Sequence, residues 1–203
     1  MDKYHKIYGP YKRDNKTHKV KQFHWTRSVF GCLADANWTW TEKVDGTNIR
    51  VMFTDGAIKF GGRTDRAQLP PLLLERLGER FTDPYALPDG TCLYGEGYGP
   101  KIQKGGGNYR ADQDFVLFDV NISGQWVNRE MVEGIAKGNG LDIVPIVGSG
   151  SLYQAMDLVE EYQKSTWGDF QAEGVICKPA VEVMTSRGRR VICKIKARDY
   201  YHG

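Results

Sequence analysis

Residues 40–48 read Trp40-Thr41-Glu42-Lys43-Val44-Asp45-Gly46-Thr47-Asn48. At their centre a lysine stands two residues ahead of an Asp-Gly pair. A lysine so placed is a candidate nucleophile, able to carry a group through a covalent bond at its amine. By chance, K-x-D-G occurs in roughly one chain of this size in twenty, so the stretch takes its weight from the rest of the chain. Five further elements come in order: Gly62-Arg63-Thr64, Gly95-Glu96-Gly97, Phe118-Asp119, Glu173-Gly174 and Lys194-Ile195-Lys196.

The chain of 203 residues is long enough for one core of good size. A single domain over 1–203 is expected, with 1–40 as its basic N-terminal segment. Hydrophobic residues make up 40% and charged residues 26%, as in soluble globular proteins. No apolar run approaches the ~20 residues that span a bilayer. The start, Met1-Asp2-Lys3-Tyr4-His5, has no apolar signal segment. Neither a membrane partner nor export is expected, and a cytoplasmic location is. Cys32, Cys92, Cys177 and Cys193 lie far apart without a C-x-x-C pair, which argues against zinc and for reduced thiols.

Net charge is only +3, but residues 1–27 hold eight Lys or Arg against Asp2 and Asp14. Tyr4, Tyr8, Tyr11, Phe23 and Trp25 are interleaved with them. Basic groups bind phosphates and aromatic rings stack on bases. A solvated arm carrying a few core aromatics fits the segment equally well.

Periodicity supplies the elements. Asn48–Phe53 sets Ile49, Val51 and Phe53 against Arg50 and Met52, a strand. Thr54-Asp55-Gly56 is a hairpin turn, and Ala57–Thr64 the return strand. Leu72, Leu73, Leu74 and Leu77 predict a short helix over Gln68–Phe81, entered through Pro70-Pro71. Thr91–Tyr98 and Asp114–Val120 read as strands, and Ser123-Gly124 turns the chain into Gln125–Asn128. Asn128 caps a helix over Arg129–Lys137, which stops at Gly138-Asn139-Gly140. Ser151 caps another over Leu152–Lys164. Glu173–Lys178 and Arg189–Lys196 are strands joined by the basic turn Ser186-Arg187-Gly188. Strands linked mostly by tight turns predict an α+β domain with antiparallel sheets and peripheral helices. There is no G-x-x-x-x-G-K-[ST] phosphate loop. Gly95–Gly99 is followed by Pro100 and Gly105-Gly106-Gly107, not by the helix of a dinucleotide fold.

The six ordered elements resemble the covalent nucleotidyltransferases, the superfamily of polynucleotide ligases and RNA capping enzymes. Within it the chain looks most like the ATP-dependent RNA ligases. Thr41–Asn48 and Tyr98-Gly99-Pro100-Lys101-Ile102-Gln103-Lys104 carry that character, as does Lys6-Ile7-Tyr8-Gly9-Pro10-Tyr11-Lys12-Arg13-Asp14. The resemblance runs from about residue 6 to Lys196. It implies the ligase adenylation (nucleotidyltransferase) fold, ATP, and magnesium with manganese as a substitute. It also implies RNA 5′-phosphate and 3′-hydroxyl ends as partners, a role in RNA repair, and a monomer.

The resemblance also assigns roles. Lys43 is the nucleophile. Lys194 and Lys196 share one face of a strand, with Ile195 pointing into the core. Their charge would favour the neutral amine of Lys43 and stabilise the triphosphate; taken alone, K-x-K reads first as a strand edge guarded by lysines, and the other motifs turn the reading. Glu42, Asn48, Arg63, Glu96, Phe118 and Lys178 correspond to nucleotide-binding positions. Arg63 and Glu96 would hold the sugar, and each could instead be half of a structural salt bridge. Phe118 is the candidate adenine-stacking ring, with Phe115 as its substitute; alternation with Val116 and Val120 would make it a core residue. Glu173 is the expected metal carboxylate, with Asp45 and Asp119 as further acids. Asp45 orients the Lys43 loop, contacts metal, or merely forms an Asp-Gly turn. Lys178 could equally be a surface lysine. Gln103–Tyr109 reads as a mobile loop beside the site.

The sequence ends seven residues after Lys196. Neither the oligonucleotide-binding barrel nor the helical domain found C-terminally in relatives is expected here, which suits a minimal ligase or an isolated catalytic domain. The rival readings are a DNA-nick ligase or an RNA-capping guanylyltransferase. A domain that self-adenylylates, or merely binds nucleic acid, and needs a partner to seal is a further one.

Overall fold

The structure, a computed structural model, describes residues 3–161 and 163–200. Its first elements are β1 (Tyr11–Arg13), β2 (Val20–Trp25), α1 (Ser28–Cys32), β3 (Trp38–Glu42), β4 (Thr47–Thr54) and β5 (Ala57–Gly62). Then come α2 (Pro71–Arg80), β6 (Thr91–Tyr98), β7 (Asp114–Ile122), β8 (Gln125–Trp126), α3 (Arg129–Gly138) and β9 (Asp142–Ile143). The chain closes with β10 (Ile146–Gly150), α4 (Leu152–Glu160), β11 (Gly174–Pro179), β12 (Cys193–Lys196) and α5 (Ala197–Tyr200). This is the expected mixture of antiparallel sheets and few helices. The elements fall into two compact units. One comprises the residues up to His5 with Asp45–Val144, the other Lys6–Val44 with everything from Pro145 onward.

In the unit holding Asp45–Val144, the sheet runs β5-β4-β6-β7-β8, all antiparallel, with β9 parallel beside β7. Ile49, Val51 and Phe53 point inward from β4 and meet Leu93, Phe115, Leu117 and Val120. Leu73 and Leu77 of α2 and Val132 and Ala136 of α3 cover them. Each such aliphatic side chain contributes about 1.5–3 kcal/mol on burial. A one-residue slip of β4 would exchange them for Arg50 and Met52, so the pattern fixes the register. The β4–β5 turn places Asp55 and Gly56 at φ 55° and 67°, the left-handed pair a two-residue hairpin requires. Asn128 caps α3 by accepting the Met131 N–H at 2.9 Å.

In the other unit, the antiparallel sheet runs β10-β3-β11-β12. Trp38, Trp40, Val175, Cys177, Cys193 and Ile195 line one face, packed against Phe30 of α1 and Leu152, Ala155, Met156 and Val159 of α4. Ser151 and Gln154 form a reciprocal capping box at the start of α4. β1 and β2 pair as a hairpin.

Four expectations are corrected. β5 ends at Gly62, not Thr64, which leaves Arg63 in an exposed bend. α4 ends at Glu160, because Ser165 and Thr166 are drawn to Glu42; the expected extension to Lys164 includes Tyr162, which lies outside the described residues. β12 spans only Cys193–Lys196, because residues before it close a local loop through Val191 N–H to Val183 O and a buried Arg190 paired with Glu182. β7 is not a regular strand. Tyr94 faces Asp119 while Gly95 faces Leu117, so Phe118 is an extra, bulged residue. Val120 therefore shares the core with Phe115 and Leu117, and Phe118 leaves the face predicted for it.

Candidate active site

Lys43 follows β3 directly, and its backbone N–H donates to Gly174 O at 2.9 Å. That bond sets Lys43 beside Glu173. Lys43 Nζ pairs with Glu173 Oε2 and also donates to Val44 O at 3.3 Å. Lys196 Nζ donates to Glu173 Oε1 at 2.5 Å. One carboxylate thus holds two ammonium groups, and all three side chains are 16–18% exposed. Burial works to raise the Glu173 pKa. The charge of Lys43, the hydrogen bonds from Lys196 and Lys43 and the charge of Lys196 outweigh it, holding the carboxyl below its ordinary range. The trio keeps one net positive charge, suited to an incoming phosphate.

Strand register explains the rest of this lysine face. Lys194 pairs opposite Ile176 and Lys196 opposite Gly174, while Ile195 between them is fully buried. Lys178, two residues beyond Ile176, points to the same face as Lys194 and Lys196. Glu42, expected among the nucleotide-binding residues, pairs opposite Val175 and faces the core side with Trp38 and Trp40. Only 1% exposed, it accepts hydrogen bonds from Ser165 Oγ at 2.6 Å and from Thr166 N and Oγ1 at 2.8 Å each. Its side chain anchors the 165–166 loop.

The unit holding Asp45–Val144 gathers a second group. Asn48 on β4 lies opposite Glu96 on β6, and Arg63 follows the Ile49–Gly62 pair on β5. Three predicted positions therefore meet at one end of three adjacent strands. Gly46 lies against the same place: a Cβ there would sit 2.2 Å from Gly97 O and 2.7 Å from Glu96 Cγ. Only glycine permits this approach. Phe118 is half-buried, its ring edge-on to Tyr4 with centroids 5.0 Å apart. Phe115 is wholly buried in the core and so is not available as the alternative stacking ring. Asp119, 1% exposed, accepts a hydrogen bond from the Tyr4 hydroxyl at 2.7 Å, within a cluster that includes Tyr94 and Trp126. Among the described residues no three His, Cys, Asp or Glu side chains come together as a metal cluster.

The residues around 103–109, expected to be mobile, are packed onto the Asp45-Gly46 turn. Gln103 Nε2 donates to Gly46 O at 3.2 Å, and the Asp45 N–H donates to the Tyr109 hydroxyl at 3.1 Å. Gly106 is buried, and a Cβ on it would lie 1.9 Å from Gly99 O. The glycine there serves close packing. Sequence reasoning also missed Arg50. It is 2% exposed, donates Nε to Gly62 O at 2.9 Å and Nη2 to Asp65 Oδ1 at 2.8 Å, and so brackets Arg63. A lone charged residue among the inward-facing β4 apolars was its only sequence signal.

Comparison with known proteins matches the chain to one family. The family model described as RNA ligase matches residues 36–196. A Naegleria gruberi RNA ligase variant with ATP and manganese is similar at 19% identity with a TM-score of 0.67, over 85% of this chain and 53% of that one. The Naegleria gruberi RNA ligase with pyrophosphate is similar at 18% identity and TM-score 0.67, over 96% of this chain and 60% of that one. A variant with AMP and manganese is similar at 19% and 0.67, over the same shares. The chain thus spans between about half and three fifths of the length of these structures, and at such identities the likeness shows the fold. No curated protein matches the chain. No helix among the described residues is long and apolar enough to cross a membrane.

Proposed function

The chain belongs to the RNA ligase family, and from that premise we propose that it is an ATP-dependent RNA ligase acting through a lysyl-AMP intermediate on Lys43. The observation that carries this reading is the Lys43–Glu173–Lys196 arrangement. A reactive amine is held at a fixed point by a carboxylate that a second lysine keeps charged. A protein that only bound nucleotides would have no use for an amine held in this way. The Naegleria gruberi structures with ATP and with AMP, each with manganese, support ATP and a divalent metal as what this site takes.

The reaction follows from the residues. The Lys43 amine, once it has lost its proton and left Glu173, attacks the α-phosphorus of ATP. A P–N bond forms, the bond to the β-phosphate oxygen breaks, and pyrophosphate leaves. Lys196 keeps Glu173 countercharged when Lys43 departs, and Lys194 and Lys178 supply positive charge on the same face. An RNA 5′-phosphate oxygen then attacks the same phosphorus, and the lysine amine regains its proton as the P–N bond breaks. Finally a 3′-hydroxyl attacks the RNA 5′-phosphorus, forming the phosphodiester and releasing AMP. Arg63 and Glu96 would hold the ribose, Asn48 the phosphate end, and Phe118 the adenine. Glu173, ionised and partly buried, suits a hard cation, whose remaining ligands would be phosphate oxygens and water. Such a cation, when bound, neutralises phosphate charge.

The test is incubation with α-labelled ATP or GTP and magnesium, followed by denaturing electrophoresis and then a joining assay on 5′-phosphorylated RNA and DNA. Label from ATP and sealed RNA support the proposal. Label from GTP moves the reading to capping, and label from ATP without sealing moves it to an adenylylating domain that needs a partner.

A further inference from the structure

We propose that the β1–β2 hairpin is the docking surface for the RNA strand, with Lys12, Lys16 and Lys19 on backbone phosphates and Phe23 stacked on a base. This rests on the RNA ligase reading. Residues 11–25 carry Lys12, Arg13, Lys16, Lys19 and Lys21 against the single acid Asp14. Two of these cations are already engaged, Arg13 with Asp199 of α5 and Lys21 with Asp14. Lys12, Lys16 and Lys19 are exposed and form ion pairs with none of the described residues.

The hairpin presents these charges on a preformed turn. Asp14 Oδ1 accepts the N–H groups of Lys16 and Thr17 at 2.9 Å each, and Asp14 N–H donates to Lys19 O at 2.8 Å. The hydrogen bonds that the Asp14 carboxyl accepts hold it well below its ordinary range. Asp14 therefore stays ionised and keeps accepting these N–H groups, so the backbone that carries the lysines is fixed before a polyanion binds. Phe23 stands outside this turn, 73% exposed, with its backbone at φ 60°, where a bulky side chain is rare. A single outward ring among cations, flanked by Gln22 and His24, suits one unstacked base beside a phosphate chain. A membrane surface would call for a stripe of apolar residues, which this hairpin lacks.

Placement supports the same conclusion. Lys194 N–H donates to Tyr8 O at 3.0 Å, and the Arg13–Asp199 pair ties β1 to α5 just beyond β12. The hairpin is thereby fixed at the edge of the strand that carries Lys194 and Lys196. A nucleic-acid strand docked on it runs beside the lysine face.

The experiment measures fluorescence anisotropy of a 5′-phosphorylated single-stranded RNA against salt concentration, for wild type, the triple variant Lys12→Gln, Lys16→Gln, Lys19→Gln, and Phe23→Asn. Asparagine accepts the left-handed backbone, so the last change removes the ring without adding strain. Lysyl-AMP formation needs no RNA and is followed in parallel. The triple variant should flatten the plot of log affinity against log salt by about 2 units, at about 0.7 per lost single-strand phosphate contact. Phe23→Asn should weaken binding roughly 5- to 150-fold with the slope kept, since a stacked base contributes about 1–3 kcal/mol. Affinity and slope unchanged in both variants, with lysyl-AMP formation intact, would overturn the docking proposal and leave the ligase reading standing. Variants that lose binding to anionic phospholipid vesicles but not to RNA would overturn it equally. Hairpin-dependent RNA binding by a wild-type protein that never forms lysyl-AMP would uphold the docking surface and defeat the ligase reading.

Discussion

Gly46→Ala would displace the turn that comes after the nucleophile without removing any candidate chemical group. The new Cβ would fall 2.2 Å from Gly97 O, where a contact under 3.0 Å is not tolerated. Gly97 is locked in the β6 ladder opposite Thr47 and cannot give way as a flexible side chain would. The turn must therefore retreat by at least 3.0 − 2.2 = 0.8 Å. Misplacing a reacting group by about 1 Å costs about 10²-fold in rate, so lysyl-AMP formation should slow roughly 30- to 100-fold. Single-turnover labelling with α-labelled ATP measures that rate, and a thermal melt shows that the variant is folded. Gly107→Ala is the control, because a Cβ there meets nothing within 4 Å and should leave the rate unchanged. A folded Gly46→Ala protein within threefold of wild type would refute the steric reasoning.

Other substitutions probe the supporting residues. Glu42→Ala leaves the Ser165 hydroxyl and the Thr166 N–H without their buried acceptor, and urea denaturation should show a loss of about 3 kcal/mol. Arg50→Met removes the hydrogen bonds that bracket Arg63; at about 1.5 kcal/mol for a bond to a charged group, KM for ATP should rise at least about tenfold while kcat changes less. Glu173 has a folded-state pKa below its ordinary value, so the stability it contributes is present above pH ~4.3 and is lost as pH falls through the folded pKa. Melting curves should therefore show wild type above Glu173→Gln near neutrality, with the gap closing as the medium is acidified below that point.

Much of the fold was legible because local patterns coincide with it. The β4–β5 hairpin follows from three alternating apolar residues and an Asp-Gly turn, and the starts of α3 and α4 follow from single capping residues. Lys194 and Lys196 could be assigned to one face because a short strand has period 2 and Ile195 between them is buried. What was not legible depends on long-range partners. The β7 bulge arises in pairing with β6 and overturns the alternation that would have put Phe118 beside Val120. Glu42 sits next to the nucleophile in sequence, yet strand alternation turns it to the opposite side, where its partners lie more than a hundred residues away. Glycine-rich 105–107 suggested mobility, whereas the close approach of Gly106 to Gly99 O belongs to tertiary packing. The division into two units likewise depends on chain crossings near Val44 and Val144 that carry no linker-like composition.

Everything proposed for the chemistry turns on Lys43 as the group that takes AMP. Intact-mass spectrometry of the wild-type chain and of Lys43→Ala, each incubated with ATP and magnesium, tests this most directly. The expected result is one AMP-sized adduct on the wild type, removed by pyrophosphate, and none on Lys43→Ala. An adduct that persists in Lys43→Ala, or none on a folded wild-type protein, would contradict it.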